Sequence, residues 1–494
     1  MSSMMKTLIA VTVVLLLFGG GFLALKLTEK KEVHELETSI ETSEGEETPI
    51  LIYEHDSNNV KSINVKNKEG NYTIDRTKKG SNSSPEDVSK YEIGELKNFP
   101  IEEATINNIA QNISTINATK IIEENSSDLS KYGLEAPLSE VTMTLDDEKN
   151  SVVTFLLGND TPSGEVYLCL KGEKKVYSVS DDIFKVLRKG KTYFISLEIV
   201  KKYGEDEYPL VKKVEIERSD LPYKINVDER AIYLDGKSGY GGVASPHVLT
   251  SPIFSYLNVE KSQATTHGVF GLTAEMILAL NPTEEQLAVA GLVEPRCKVS
   301  ITLGDDIHYV LKIGNEIEYD GKKSYNVYFE GVDMIYIVSE ESLPWLNLKI
   351  SDITSQIVVA KFVYDITKLS ITVGSQTRTF EGTGDDKDNY KVKLDGQDYD
   401  TERYRDFYRQ LLKTPAEEIY FESEPTGKLL AKIEIQTNDE TFNDIIEFYE
   451  SEERKVIIKV NGVTSFKCRA SFIEKFLIPN VEKLDSNEAF VENW

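Results

Sequence analysis

The feature that most constrains this chain is an order of patterns that returns. A turn-like stretch containing Tyr132, Gly133, Leu134 and Pro137 is followed by four alternating runs: Val141–Leu145, Ser151–Leu157, Glu165–Leu170 and Lys175–Val179. A short helical pattern, Asp181–Leu187, closes the series. The same order follows Ala290: Gly291, Leu292 and Pro295, then Lys298–Leu303, Ile307–Ile313, Tyr325–Phe329 and Met334–Val338, then Glu340–Leu346. Gly133, Leu134 and Pro137 match Gly291, Leu292 and Pro295 at a constant offset of 158 residues. Gly158-Asn159 matches Gly314-Asn315, and Val176–Ser180 matches Ile335–Ser339. Agreement of so many features in one order marks one supersecondary unit used twice. Alternation with period two predicts half-buried strands.

The elements upstream of the turn also recur. Val60–Val65 and Asn71–Asp75 predict a hairpin, and Ile101–Ile113 a helix with Ala104, Ile106, Ile109, Ala110 and Ile113 on one face. Their counterparts are strands at Val211–Glu217, Tyr223–Val227 and Ala231–Leu234 with a short helix at Pro246–Leu257. A third series has strands at Lys368–Val373, Thr377–Glu381 and Tyr390–Leu394, then a helix at Thr401–Leu412. It continues with strands at Leu430–Thr437, Ile445–Tyr449, Lys455–Val460 and Ser465–Lys467 and a helix at Ala470–Leu477. This last copy lacks the Gly-Leu-x-x-Pro turn. The apolar run Ile353–Tyr364 reads as a core strand between copies, too short to span a membrane. The expected fold is α+β: repeated, mainly antiparallel sheet units with short covering helices, after one N-terminal transmembrane helix. The expected divisions are 1–28, tail and membrane helix; 29–54, acidic flexible stalk; 55–200, first unit; 201–350, second unit; and 351–494, degenerate third unit.

The membrane helix rests on Leu8–Leu25, which holds no charged residue. As a helix it is roughly 27 Å long, close to the hydrocarbon thickness. No small-x-small cleavage site follows it, so an uncleaved anchor is favoured over a signal peptide. Lys26, Lys30 and Lys31 make the far flank slightly richer in positive charge, against the usual orientation rule. The short N-terminal tail and the large C-terminal body nevertheless place the N-terminus in the cytoplasm and the body outside. Glu29–Pro49, rich in Glu, Ser and Thr, reads as a disordered stalk. The net charge of −27 argues against binding of nucleic acid. Cys169, Cys297 and Cys468 are too few and too scattered for a disulfide framework and read as buried apolar residues.

Chemistry-bearing motifs are weak. The histidines, His34, His55, His247, His267 and His308, have no zinc-helix spacing. Gly236–Gly239 lacks the glycine spacing of a phosphate loop and reads as a hairpin turn, and His247 near Ser245 and Ser251 lies in a proline-flanked loop. The acidic pairs Asp146-Asp147, Asp181-Asp182 and Asp305-Asp306, and the cluster Asp385, Asp386 and Asp388, lack calcium-loop spacing and read as solvated turns. No catalytic, cofactor-binding or metal residues are therefore assigned, and no cofactor is expected. Gly133, Leu134, Pro137, Gly291, Leu292 and Pro295 read as structural turn residues: glycine for backbone freedom, proline for a fixed φ, leucine as a plug.

These turns, with Leu157-Gly158-Asn159, the Val176–Val179 strand and the N-terminal apolar run, resemble the bacterial family defined by the domain of unknown function numbered 4340. The resemblance covers most of residues 60–350. It implies an exported or membrane-anchored protein associated with auxiliary components of ABC-type transporters, and it carries no catalytic residues. The expected function is thus a membrane-anchored, non-enzymatic extracytoplasmic scaffold of the envelope with a protein partner. The alternative is an extracellular ligand- or polysaccharide-binding protein.

Overall fold

The computed structural model describes residues 50–81, 87–204, 207–230 and 245–494, together with the backbone of 233–234 and 237–238. The expected membrane helix and stalk residues 29–49 lie outside the described residues. Among the described residues no helix is long and apolar enough to cross a membrane.

Alternation builds the first sheet. Val60, Ile63 and Val65 point to one face of β2 (Val60–Asn67) and are fully buried, and β3 (Gly70–Lys78) returns antiparallel with Ile63 opposite Ile74. The remaining elements are β4 (Lys90–Glu92), α1 (Glu103–Ile113), β5 (Thr115–Ala118), β6 (Lys120–Glu123), β7 (Ser139–Leu145), β8 (Val152–Asp160), β9 (Val166–Leu170) and β10 (Val176–Val179). They order as β4-β3-β2-β7-β8-β9-β10-β6, every pairing antiparallel. A hairpin thus joins a four-strand meander, and a strand that precedes the meander closes its far edge. The helix α1 buries Ile106, Ile109, Ala110 and Ile113 on the core. The first strand, β1 (Ile50–Glu54), pairs with β5, so the last residues of the expected stalk belong to the folded body.

The second sheet is built from β11 (Val211–Arg218), β12 (Ile225–Glu229), β15 (His247–Ser251), β16 (Ser255–Tyr256), β17 (Met276–Leu280), β18 (Cys297–Leu303), β19 (His308–Tyr319), β20 (Lys322–Phe329) and β21 (Met334–Ser339). The short strands β13 (Tyr233–Leu234) and β14 (Lys237–Ser238) pair with each other outside it. Its order is β16-β15-β12-β11-β18-β19-β20-β21-β17. The third comprises β22 (Ile366–Val373), β23 (Gln376–Thr383), β24 (Lys391–Leu394), β25 (Gln397–Tyr399), β26 (Glu418–Ile419), β27 (Leu429–Thr437), β28 (Asp444–Glu450), β29 (Lys455–Val460) and β30 (Val463–Arg469). Its order, β25-β24-β23-β22-β27-β28-β29-β30-β26, is the same topology again. The covering helices α2 (Val259–His267) and α3 (Thr401–Leu411) occupy the place of α1 between hairpin and closing strand.

One irregularity recurs in all three sheets. The pairing of β2 with β7 slips between Val60 and Ser62, that of β11 with β18 between Val211 and Lys213, and that of β22 with β27 between Ile366 and Lys368. A bulge frees a backbone group that must then find another partner. A buried side chain supplies it each time: Tyr91 donates its hydroxyl to the Val60 carbonyl at 2.9 Å, His247 Nε2 lies 2.6 Å from that of Val211, and Tyr390 donates to that of Ile366 at 2.6 Å.

Two expectations need correction. Pro246–Leu257 is not a helix but the strands β15 and β16; the covering helix follows as α2. Its buried face is Ser262, Thr265 and Thr266, which hides it from any search for apolar periodicity. Ile353–Tyr364 is not a strand: after a helical turn at Ile350–Ile353 the chain runs as irregular backbone, with Val358, Val359, Ala360 and Lys361 buried.

Candidate functional site

The predicted turn residues form two clasps on the outer faces of the first and second sheets. Gly133 takes φ +69° and Gly291 φ +72°, a left-handed conformation that glycine adopts without strain. The Leu134 amide donates to the Leu129 carbonyl at 3.0 Å, and Leu292 repeats this with Leu287 at 2.9 Å. Leu134 packs with Cys169 and Val176, and Leu292 with Ala290 and Ile335, in small apolar clusters apart from the main core. That is why β10 and β21 are buried on both faces. Each clasp bears on a Gly-Asn bulge. A Cβ at Gly158 would fall 2.1 Å from the Tyr132 carbonyl oxygen, and one at Gly314 would fall 2.2 Å from that of Ala290. Asn159 and Asn315 in turn crowd Gly133 and Gly291. Pro137 and Pro295 stand half-buried two residues before β7 and β18. At the surface of the first clasp the Tyr132 hydroxyl donates to Glu123 at 2.7 Å and Lys131 pairs with the same carboxylate at 2.7 Å; both charged groups keep contact with water.

Buried charged groups converge where the second sheet meets the third. Asp444, the first residue of β28, is 1% exposed. Arg230, just past β12, donates to its Oδ1 at 2.8 Å and to the Asn443 carbonyl at 2.7 Å. Asn461 donates to the same Oδ1 at 2.9 Å. Lys361 Nζ lies 3.0 Å from Oδ2, and the Tyr256 hydroxyl donates to that oxygen as well. Nearby, the Phe254 amide donates to Ser465 Oγ at 3.0 Å, a further bond between these sheets. Burial pushes the Asp444 carboxyl up, but Lys361 and Arg230 outweigh it, and the group ends below the ordinary aspartate value. Burial pushes the Lys361 amine down to about 8, with Asp444 opposing and Arg230 reinforcing the shift.

Beside this joint opens a groove of about 340 Å³ between residues 357–363 and the outer face of α3. Ile357, Val359, Ala360, Val363 and Leu412 give it apolar walls; Tyr408, bonded to the Lys361 carbonyl at 2.6 Å, and Lys361, paired with Asp444, line it too. Arg405 and Arg409 also line it.

The other sequence candidates resolve individually. His247 caps the β11 bulge, and its backbone amide contacts Ser245 Oγ at 3.2 Å. The Asp385 cluster is a self-bonded turn in which Asn389 Oδ1 accepts from the Asp385 and Asp386 amides. The cysteines are free and buried. Among the described residues no three His, Cys, Asp or Glu side chains gather as a metal-binding group. The Asp444 joint escaped sequence reasoning because Arg230 and Asp444 are 214 positions apart. Its one signal was Lys361, a lone cation inside an apolar run.

Residues 92–201 match the family model described as Domain of unknown function (DUF4340), which supports a DUF4340 domain protein. The match runs from the end of β4 through α1, the first clasp and the first meander. No curated protein matches the chain, and no solved structure does.

Proposed function

We propose that the protein is a membrane-anchored extracytoplasmic scaffold of the bacterial envelope that binds a protein partner, with an ABC-type transporter complex as the first partner to test. The observation that carries this reading is the buried joint at Asp444. A scaffold must hold its surfaces in fixed relation, and a charged group that cannot leave its partners without a large penalty holds two repeated sheets in one arrangement. The apolar run Leu8–Leu25 supplies the anchor and the acidic residues after it the spacer. The role assigned is interaction, not catalysis.

Crosslinking of the full chain in its native membrane, followed by identification of attached proteins, tests the proposal. Recovery of the same envelope protein in independent preparations, lost on substituting Asp444 by Asn, is the expected result. Repeated recovery of the chain with no stable partner would overturn it.

A further inference from the structure

We propose that the groove between residues 357–363 and α3 is a binding site for a single alkyl chain ending in a carboxylate. Ligand pockets are mostly apolar with a few placed polar groups, and occupy about 300–1,000 Å³. At about 340 Å³ this groove has room for one alkyl chain. Its walls are the aliphatic side chains named above, and its mouth is framed by Phe362, 48% exposed, and Leu412, 43% exposed. Both would leave water when a chain enters.

Charge selects the head group. The ten lining residues include three cations, Lys361, Arg405 and Arg409, and no carboxylate. The chain as a whole has 83 acidic against 56 basic residues, so this local excess runs against its composition. Lys361 is committed to Asp444. The arginines are not committed to a buried partner: Arg405 donates to Glu402 at 2.7 Å and Arg409 to Asp406, each an exposed pair within one turn of α3. Exposed pairs of this kind contribute little and are readily exchanged, whereas a guanidinium retains further N–H groups with which to fork onto a carboxylate. Arg405, Tyr408, Arg409 and Leu412 follow helical spacing, so one face of α3 presents the cations beside an apolar surface. That juxtaposition fits a head group and its tail.

The test uses the full chain in native membranes and dodecanoate bearing a photoactivatable diazirine at its chain end, with labelled peptides mapped by mass spectrometry. Labelling is expected within residues 357–363 and 405–412, and excess dodecanoate should compete it away. R405E/R409E, at solvent-accessible positions, should lower groove labelling by about tenfold or more, and Leu412→Asp should lower it independently. The trimethylammonium analogue of the probe should not label the groove. Equal labelling by that cationic probe, undiminished labelling of R405E/R409E, or label confined to other peptides would overturn the proposal. Labelling by a two-chain phospholipid probe but not by dodecanoate would also overturn it and would assign the groove to the bilayer.

Discussion

Two substitutions at the buried joint should differ sharply in cost. Asp444→Asn removes the anion that Arg230, Lys361 and Tyr256 all address, and leaves two cations buried around a neutral amide. Breaking a buried pair from one side costs about 3–5 kcal/mol. Lys361→Met removes a cation that is unfavourably buried, while Arg230, Tyr256 and Asn461 continue to satisfy Asp444. Its amine is depressed from 10.5 to about 8, a burden of about 3 kcal/mol on the protonated folded form at neutral pH. The sign follows from proton uptake. Between about pH 8 and 10.5 the unfolded chain holds the Lys361 proton and the folded chain releases it, so wild-type stability rises with pH across that window. Lys361→Met lacks this rise and should cost far less than Asp444→Asn at pH 7. Trp494 packs on Phe472 and Phe476 at 5.3 and 4.8 Å between ring centroids, and in a Trp345→Phe background its fluorescence follows urea unfolding of the third sheet. An Asp444→Asn cost below about 1 kcal/mol, or a difference between wild type and Lys361→Met that stays constant from pH 7 to 10, would refute the reasoning.

Other outcomes follow from the same geometry. Gly133→Val places a branched side chain at φ +69° with its Cβ 2.6 Å from Asn159 Oδ1; the backbone term alone is about 1–2 kcal/mol, so calorimetry should show the first transition lowered by about 3 °C or more. Tyr390→Phe leaves the Ile366 carbonyl without its hydroxyl donor and should cost about 1–2 kcal/mol in urea unfolding. Burial, then the neighbouring His247, holds His267 at about 4. Because the unfolded chain takes up that proton first, stability should fall as pH drops from 7 to 5, by about 1 kcal/mol after discounting for the exposed edge of the ring, and His267→Phe should flatten that part of the curve.

The sheets were legible where one face meets water and the other the core. Ser139–Leu145 and Cys297–Leu303 both alternate buried and half-buried along their whole length, and the expected strands Val141–Leu145 and Lys298–Leu303 fall within them. The helix α1 was legible because its buried positions are apolar at helical spacing. Legibility failed where tertiary contacts overrode local pattern. The buried face of α2 is hydroxylic: Thr266 bonds back to Ser262, and the Thr265 carbonyl accepts from Trp345. The closing strands β6 and β17 each pair on one side only, with a meander strand more than fifty residues downstream in the chain. The Ile353–Tyr364 run is apolar because it fills the space between sheets and lines the groove, not because it joins a ladder. The joint could not be read locally at all, since its members come from the residue after β12, from β16, an irregular segment, β28 and the turn between β29 and β30.

Comparing the three copies separates what the topology requires from what each copy has added. The bulge and its capped carbonyl occur three times, with Tyr91, His247 and Tyr390 as caps. A feature that survives a change from phenol to imidazole is held by the need to satisfy a buried carbonyl, not by the chemistry of either side chain. The clasp with its Gly-Asn partner occurs twice, in the first and second sheets, and there it covers the outer face of the last meander strand. The third sheet has no such motif and instead carries Asp444 at the start of β28, facing the second sheet, and the groove along α3. These two features adjoin each other through Tyr408 and Lys361. The charge cluster ties the third sheet to the second, and the cationic groove lies outside the strand order that the three sheets share. Residues 357–363 and 405–412, which line the groove, are where substitutions should separate binding from folding, whereas substitution of Asp444 tests the joint between the sheets.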